Sequence, residues 1–240
     1  MATFEHDGAT IHYEEHGTGF PVLLIAPGGM RSAIPLWDNA PWNPITELSN
    51  RYRVIAMDQR NAGASSGPVR PDDGWDTYTG DQLALLDHLG IDEFAVLGMC
   101  IGGAYIMNLI RHAPDRVVAG VMLQPIGLED NRDAFNDMFD AWAEAIRGDH
   151  PDMTDDDWAA FRAHMYGGDA ELFTATASDV AKVETPLLVL MGDDHYHPAS
   201  ASRLVAEAAP NATLIEEWKE GDARGDAMAA VDGFLAAQAA

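Results

Sequence analysis

The sequence is short of cysteine and of long apolar runs, and each shortage excludes a class of protein. Cys100 is the only cysteine among the 240 residues. No disulfide can therefore form within the chain, which fits a reducing compartment. No apolar run approaches the roughly 20 residues that a membrane-spanning helix needs, and the N-terminal residues lack the apolar core of a signal peptide. We expect a cytoplasmic protein with no membrane partner.

Basic side chains are also scarce, at 14 against 39 acidic ones, and the formal net charge is -25. Such a surface repels phosphate backbones, so a nucleic-acid partner is not expected. We interpret the excess of acidic side chains as serving to keep the protein surface solvated.

Neither a metal nor another cofactor is expected. Asp193, Asp194, His195 and His197 crowd one short loop and lack a distant fourth metal ligand. The glycines of "PGGM" lack the spacing of a dinucleotide-binding loop.

The apolar pattern predicts a mainly parallel sheet covered by helices. Two alternating strands around Asp7-Gly8 predict a hairpin. Runs that are apolar throughout, typical of strands buried on both faces, recur between helix-like segments. They span residues 21–26, 52–58, 94–98, 117–124, 186–192 and 212–218.

One interval, from residue 127 to 182, is too long for a simple crossover between strands. It is acidic, aromatic and helix-rich. We interpret it as a helical cap inserted after the sixth strand, with residues 1–126 and 183–240 forming the core domain.

The stretch "VLGMCIGG" places Cys100 between a strand and a helix. A nucleophile on such a tight turn needs small neighbours two positions to either side, and Gly98 and Gly102 supply them. The amides at the start of the helix lower a thiol pKa and favour the thiolate. A buried structural cysteine is the alternative.

These motifs together resemble the α/β-hydrolase fold superfamily over nearly the whole chain. "PVLLIAPGGM" resembles its oxyanion loop, "YRVIAMDQRNAGAS" its D-x-R-x-x-G-x-S stretch, and "TPLLVLMGDDHYHP" the strand that ends at its catalytic acid. The elbow GMCIGG is similar to that of dienelactone hydrolases, which use cysteine there. The resemblance implies an eight-stranded sheet with a small cap.

The resemblance also assigns the oxyanion hole and the acid. The amide of Gly29, or else of Met30, would pair with that of Ile101 to bind a developing oxyanion. The spacing to the following proline selects Asp194 as the acid, with the adjacent Asp193 as its competitor.

The family's histidine, which follows the last strand, is missing, because no histidine lies beyond His197. We favour His197, on the same loop as Asp194, as the catalytic base. His195, on that loop too, is a weaker candidate for the same role. The alternatives are His164 from the cap, or no histidine at all. In that last case the vacant position would be taken by one of three residues, Lys219, Glu216 or Glu217.

Several aromatic residues are candidates for substrate binding. Trp37 and Trp42 follow the oxyanion loop, and His164 and Tyr166 lie in the cap. Most cap aromatics, at helical spacing, are better explained as the cap's own core. Arg60 either reaches the pocket or forms a structural salt bridge.

We therefore expect a cysteine hydrolase that cleaves small esters, lactones or thioesters through an acyl-enzyme intermediate. A lyase or decarboxylase on the same fold, and a ligand-binding protein that has lost catalysis, remain alternatives. The expected partner is a small-molecule substrate. The oligomeric state is open, with a homodimer as one option.

Overall fold

The computed structural model describes residues 2–238, whose eight strands form one sheet. The strands are β1 (Ala2–His6), β2 (Ala9–His16), β3 (Phe20–Ile25), β4 (Tyr52–Met57), β5 (Phe94–Met99), β6 (Val117–Leu123), β7 (Leu187–Leu190) and β8 (Ala212–Ile215). Their order across the sheet is β1-β2-β4-β3-β5-β6-β7-β8. Pairing is antiparallel from β1 to β2 and from β2 to β4, and parallel elsewhere. The predicted mainly parallel eight-stranded sheet is confirmed.

The first two strands form the predicted hairpin. Asp7 and Gly8 both have positive φ, at 45° and 75°, as the favoured two-residue hairpin turn requires. The turn pairs His6 with Ala9 and sets the register.

Helices cover both faces of the sheet. They are α1 (Pro44–Leu48), α2 (Trp75–His88), α3 (Gly102–His112), α4 (Arg132–Ile146), α5 (Asp155–Tyr166), α6 (Ala177–Val180), α7 (Ala199–Ala208) and α8 (Gly221–Gln238). None of the helices within residues 2–238 is long and apolar enough to cross a membrane.

Two apolar cores lie against the two faces, and alternate strand residues enter each. Along β3, Leu23 and Ile25 join the core that contains α3 and the aromatic residues of α4 and α5. Val22 and Leu24 join the core that contains Trp218 and the apolar side of α8. Burial on both sides explains why the strands are apolar throughout.

Helices α4, α5 and α6 lie between β6 and β7, which confirms a cap inserted after the sixth strand. Its aromatic side chains pack edge to face: Phe139 with Trp142 at a centroid distance of 5.4 Å, and with Phe161 at 5.1 Å. These rings are fully buried and belong to the same apolar core as α3 and the strand residues on that face of the sheet. The expectation that the cap aromatics form a core of their own is therefore corrected, because the cap shares its core with the sheet. The exact boundaries at residues 127 and 182 stay a prediction.

Arg60 is structural. Its guanidinium donates two hydrogen bonds, of 2.8 and 2.7 Å, to the carboxylate of Asp81, and both residues are fully buried. His6 lies 2.8 Å from the same carboxylate. This pair ties the loop after β4 to α2 and, through His6, to β1.

We expect Arg60→Met to lower the free energy of unfolding by about 3–5 kcal/mol, because it leaves the Asp81 carboxylate buried without its main partner. Urea denaturation measures the change. The control is Arg53→Met, which removes a surface pair with Glu15 and should cost about 1 kcal/mol or less. Equal losses in the two variants would contradict this assignment.

Candidate active site

Cys100 lies on a strained turn between β5 and α3. Its φ is 61°, in the left-handed region that non-glycine residues rarely adopt. Its N–H donates to the carbonyl of Leu123 at 3.0 Å, and its carbonyl accepts from the N–H groups of Gly103 and Ile126 at 3.1 and 3.2 Å. These bonds fix the backbone while the side chain stays partly exposed.

The glycines around Cys100 are required by close contacts. A Cβ on Gly98 would lie 2.8 Å from the Cα of Gly102, and one on Gly103 would lie 2.4 Å from the Cβ of Pro125. Both distances are too short for any side chain. The turn therefore requires glycine at Gly98, as the G-x-C-x-G pattern implies, and also at Gly103. At Gly102, the second glycine of the pattern, a Cβ would lie 3.1 Å from the carbonyl oxygen of Ile25, which is tight but not a clash.

His197 and Asp194 face each other within the loop between β7 and α7. Both carboxylate oxygens of Asp194 lie 2.8 Å from Nδ1 of His197. The same carboxylate accepts from the backbone N–H groups of Tyr196 and His197, at 2.9 and 3.1 Å. The side-chain amide of Gln124, at the end of β6, lies 3.4 Å from Nδ1. Asp194 thus fixes the orientation of the imidazole.

The other nitrogen of His197, Nε2, is buried and has no well-aligned partner among residues 2–238. The Cys100 thiol lies beside it. Burial opposes the charged form of both groups, but their mutual hydrogen bond and charges outweigh it, so the pKa of Cys100 is lowered and that of His197 is raised. Burial would raise the pKa of Asp194, yet His197 lowers it. Each of the three shifts moves the equilibrium towards the charged form of its side chain, relative to the isolated group.

Two backbone amides also lower the pKa of Cys100, those of Gly28 and Ile101. Ile101 is one of the predicted oxyanion amides, whereas Gly28 was not among them, and the assignment of Gly29 or Met30 stays a prediction. Gly29 has φ 60° and lies under the Met138 sulfur, and Met30 is buried in the core. The signal for Gly28 was the glycine pair itself, but its spacing does not say which amide faces the thiol.

Three of the residues expected to bind substrate lie elsewhere. Trp37 and Trp42 are buried in the core on the α8 face of the sheet, together with Trp218. His164 is exposed beside Gly74, because it occupies the outer side of α5. Tyr166 is fully buried under the cap, close enough for the charge of Cys100 to raise its pKa.

Residues 21–180 match the family model described as "alpha/beta hydrolase fold". The chain belongs to this family. Among curated relatives, it is 34% identical over 116 residues to a putative carbamate hydrolase, RutD, of Azorhizobium caulinodans, covering 48% of this chain and 41% of that protein. It is 26% identical to a non-heme chloroperoxidase of Streptomyces lividans over 87% of each chain. The matches to the first three relatives span about half of those proteins' lengths.

Solved structures show the same fold. A hydrolase from Pseudomonas aeruginosa superimposes with a TM-score of 0.71 at 24% identity, covering 98% of this chain and 97% of that one. The enol-lactonase from Burkholderia xenovorans gives a TM-score of 0.71 at 22% identity over 98% and 100%.

The position where the α/β-hydrolase resemblance expects a histidine, after β8, contains no group that faces Cys100. Trp218 is buried there and donates from Nε1 to the carbonyl of Met191 at 2.8 Å. Lys219 forms an ion pair with Asp193, which removes Asp193 as the competitor of Asp194. Glu216 pairs with Arg203 at 3.6 Å. Glu217 and His195 are exposed.

Because Cys100 is the only thiol, alkylation by iodoacetamide reports on it alone. The lowered pKa keeps the thiolate as pH falls, so the rate should reach half its maximum below the usual thiol value of about 8.5. In His197→Gln the thiol stays buried but loses the imidazolium beside it. The pH at which alkylation reaches half its maximal rate should therefore rise by about one unit or more. His195→Gln is the control, and a midpoint that does not move in His197→Gln would refute the pairing.

Proposed function

We propose that the protein is a cysteine hydrolase of small esters, lactones or thioesters. The observation that carries the proposal is the position of His197. Its Nδ1 is bonded to Asp194, and its side chain lies beside the thiol of Cys100, a partly exposed residue on a strained elbow. This arrangement has the parts of a nucleophile, base and acid triad.

In the first half-reaction, the Cys100 thiolate attacks the substrate carbonyl and forms a carbon–sulfur bond. The carbonyl π electrons move to oxygen, and the amides of Gly28 and Ile101 bind the resulting oxyanion. The oxyanion then collapses and the bond to the leaving group breaks. His197 gives its Nε2 proton to that group, which leaves an acyl thioester on Cys100.

In the second half-reaction, neutral His197 takes a proton from a water molecule as the water oxygen attacks the thioester. A second oxyanion forms at the same two amides. Its collapse breaks the carbon–sulfur bond, releases the acid and regenerates the thiolate beside the imidazolium. Asp194 keeps Nε2 directed at the sulfur and stabilises the imidazolium, while remaining ionised throughout.

The family supports hydrolysis as the reaction class. The Azorhizobium relative is named a putative carbamate hydrolase, and the neighbouring structures include an enol-lactonase and an esterase from Rhodococcus. The argument for a lyase or a binding protein was the missing histidine after β8. His197 offers an imidazole from another loop, so that argument no longer favours either alternative.

Turnover of p-nitrophenyl acetate tests the proposal. We expect wild-type protein to form an acyl adduct on Cys100, seen by intact mass, and Cys100→Ala to lose both adduct and turnover. His197→Ala should lower kcat/KM by about 100-fold or more, as for loss of a general base.

The matched control is His195→Ala, two residues away and exposed, which should keep wild-type kinetics. A correctly folded protein with no adduct and no turnover across short acyl chains would overturn the proposal. So would turnover that survives in Cys100→Ala.

A further inference from the structure

The hydroxyl of Tyr166 is the one polar atom of a side chain otherwise packed among aromatic rings. The ring stacks on Phe135 at a centroid distance of 5.5 Å and meets Phe173 and Trp75 edge to face, at 5.4 and 6.0 Å. The residue has no exposed surface, and its hydroxyl has no hydrogen-bond partner among residues 2–238. A buried hydroxyl without a partner costs stability, so a ligand is expected to satisfy it.

The surroundings of Tyr166 connect it to the elbow and to the catalytic loop. Phe135, stacked on Tyr166, also contacts the ring of Tyr196, the residue before His197, at 5.6 Å. Phe173 is followed by Thr174, whose hydroxyl donates to the carbonyl of Ala104 in the first turn of α3, at 2.8 Å. The negative charge of Cys100 adds to burial in raising the pKa of the tyrosine. Tyr166 therefore lies in the cap, near enough to Cys100 for the charge of the sulfur to act on its hydroxyl.

The proposed acyl transfer accounts for two of the three groups on the acyl carbon. The carbonyl oxygen faces the amides of Gly28 and Ile101, and the leaving group faces Nε2 of His197. In this arrangement the third group, the acyl chain, is placed towards the cap, where Tyr166 lies.

We propose that the Tyr166 hydroxyl donates a hydrogen bond to an acceptor oxygen on the acyl chain, and that the preferred substrate is an uncharged acyl compound with such an oxygen near its carbonyl. This inference rests on the proposed hydrolase function. It adds a specificity-determining residue and a substrate class.

The basic side chains nearest the cap are already engaged, which disfavours an anionic acyl group. Arg132 donates to the carbonyls of Tyr166 and Gly168 and pairs with Asp169. Arg31 donates to the carbonyl of Ala141 at 2.6 Å. The thiolate and Asp194 would repel an added negative charge.

Two isosteric esters test the inference: p-nitrophenyl methoxyacetate and p-nitrophenyl butyrate, which differ by an ether oxygen in place of a methylene. We expect Tyr166→Phe to lower the methoxyacetate-to-butyrate ratio of kcat/KM by about tenfold, the worth of one hydrogen bond. Comparing this ratio between the wild type and Tyr166→Phe cancels the difference in intrinsic reactivity between the two esters.

Tyr13→Phe, a buried tyrosine in β2 that packs against His88, is the control and should leave the ratio unchanged. The charged ester p-nitrophenyl hemisuccinate should be hydrolysed at least about tenfold more slowly than the butyrate by the wild type.

Thermal melting separates this role from a structural one. Removal of an unpartnered buried hydroxyl should leave the Tm of Tyr166→Phe unchanged or raised. A Tm lowered by several degrees would show an internal partner and overturn the inference. An unchanged ratio with both esters cleaved would overturn it while leaving the hydrolase proposal intact. Failure of the wild type to cleave either ester would overturn both.

Discussion

The candidate site depends on one short-range interaction, the hydrogen bond between Asp194 and His197. Only two residues separate the partners along the chain, so closing the loop costs little conformational entropy. The carboxylate accepts from the imidazole and from two backbone N–H groups of the same loop. The loop is therefore folded by the same carboxylate that orients the ring. If Asp194 did not bind Nδ1, nothing else in the loop would direct Nε2 at the thiol.

The second requirement is the strained backbone at Cys100. A left-handed residue that is not glycine persists only where its surroundings fix it. Here β5 and β6 pair in register up to Met99 and Leu123, and the next N–H, that of Cys100, bonds to the Leu123 carbonyl. The sheet behind the turn is buried on both faces, so it resists deformation. Local strain at Cys100 is thus balanced by the packing of the sheet around it.

Much of the fold follows from local patterns in the sequence. The pair Asp7-Gly8 predicts a hairpin because few residues accept positive φ. Strand sequences that are apolar throughout, such as "PVLLIA", indicate burial on both faces of the sheet. Cys100 is recognisable because Gly98 and Gly102 stand at the two offsets that a tight turn needs, and Gly98 is sterically required there. His197 is favoured by its position on the loop of Asp194, whereas its approach to the sulfur depends on tertiary packing. The approach of the Gly28 amide to the thiol was not predicted, because the spacing of the glycine pair does not fix the direction of either N–H. Trp37 and Trp42 were misplaced because an indole suits a pocket wall and a core equally well.

The shared loop has a consequence for the segment that follows it. In this chain Asp194 and His197 move together, since one turn contains both, and their separation does not depend on how β8 or α8 is positioned. Trp218, where the resemblance places a histidine, is free to fill the core beneath the sheet instead. Residues 216–238 then contribute no group to the proposed triad. They are held by the packing of α8 and by a few polar contacts, such as the bond from Trp218 to the Met191 carbonyl and that from the Tyr52 hydroxyl to the Asp232 carbonyl. Sequence drift in this segment should therefore be limited by core volume and by these contacts, with no position fixed by catalysis.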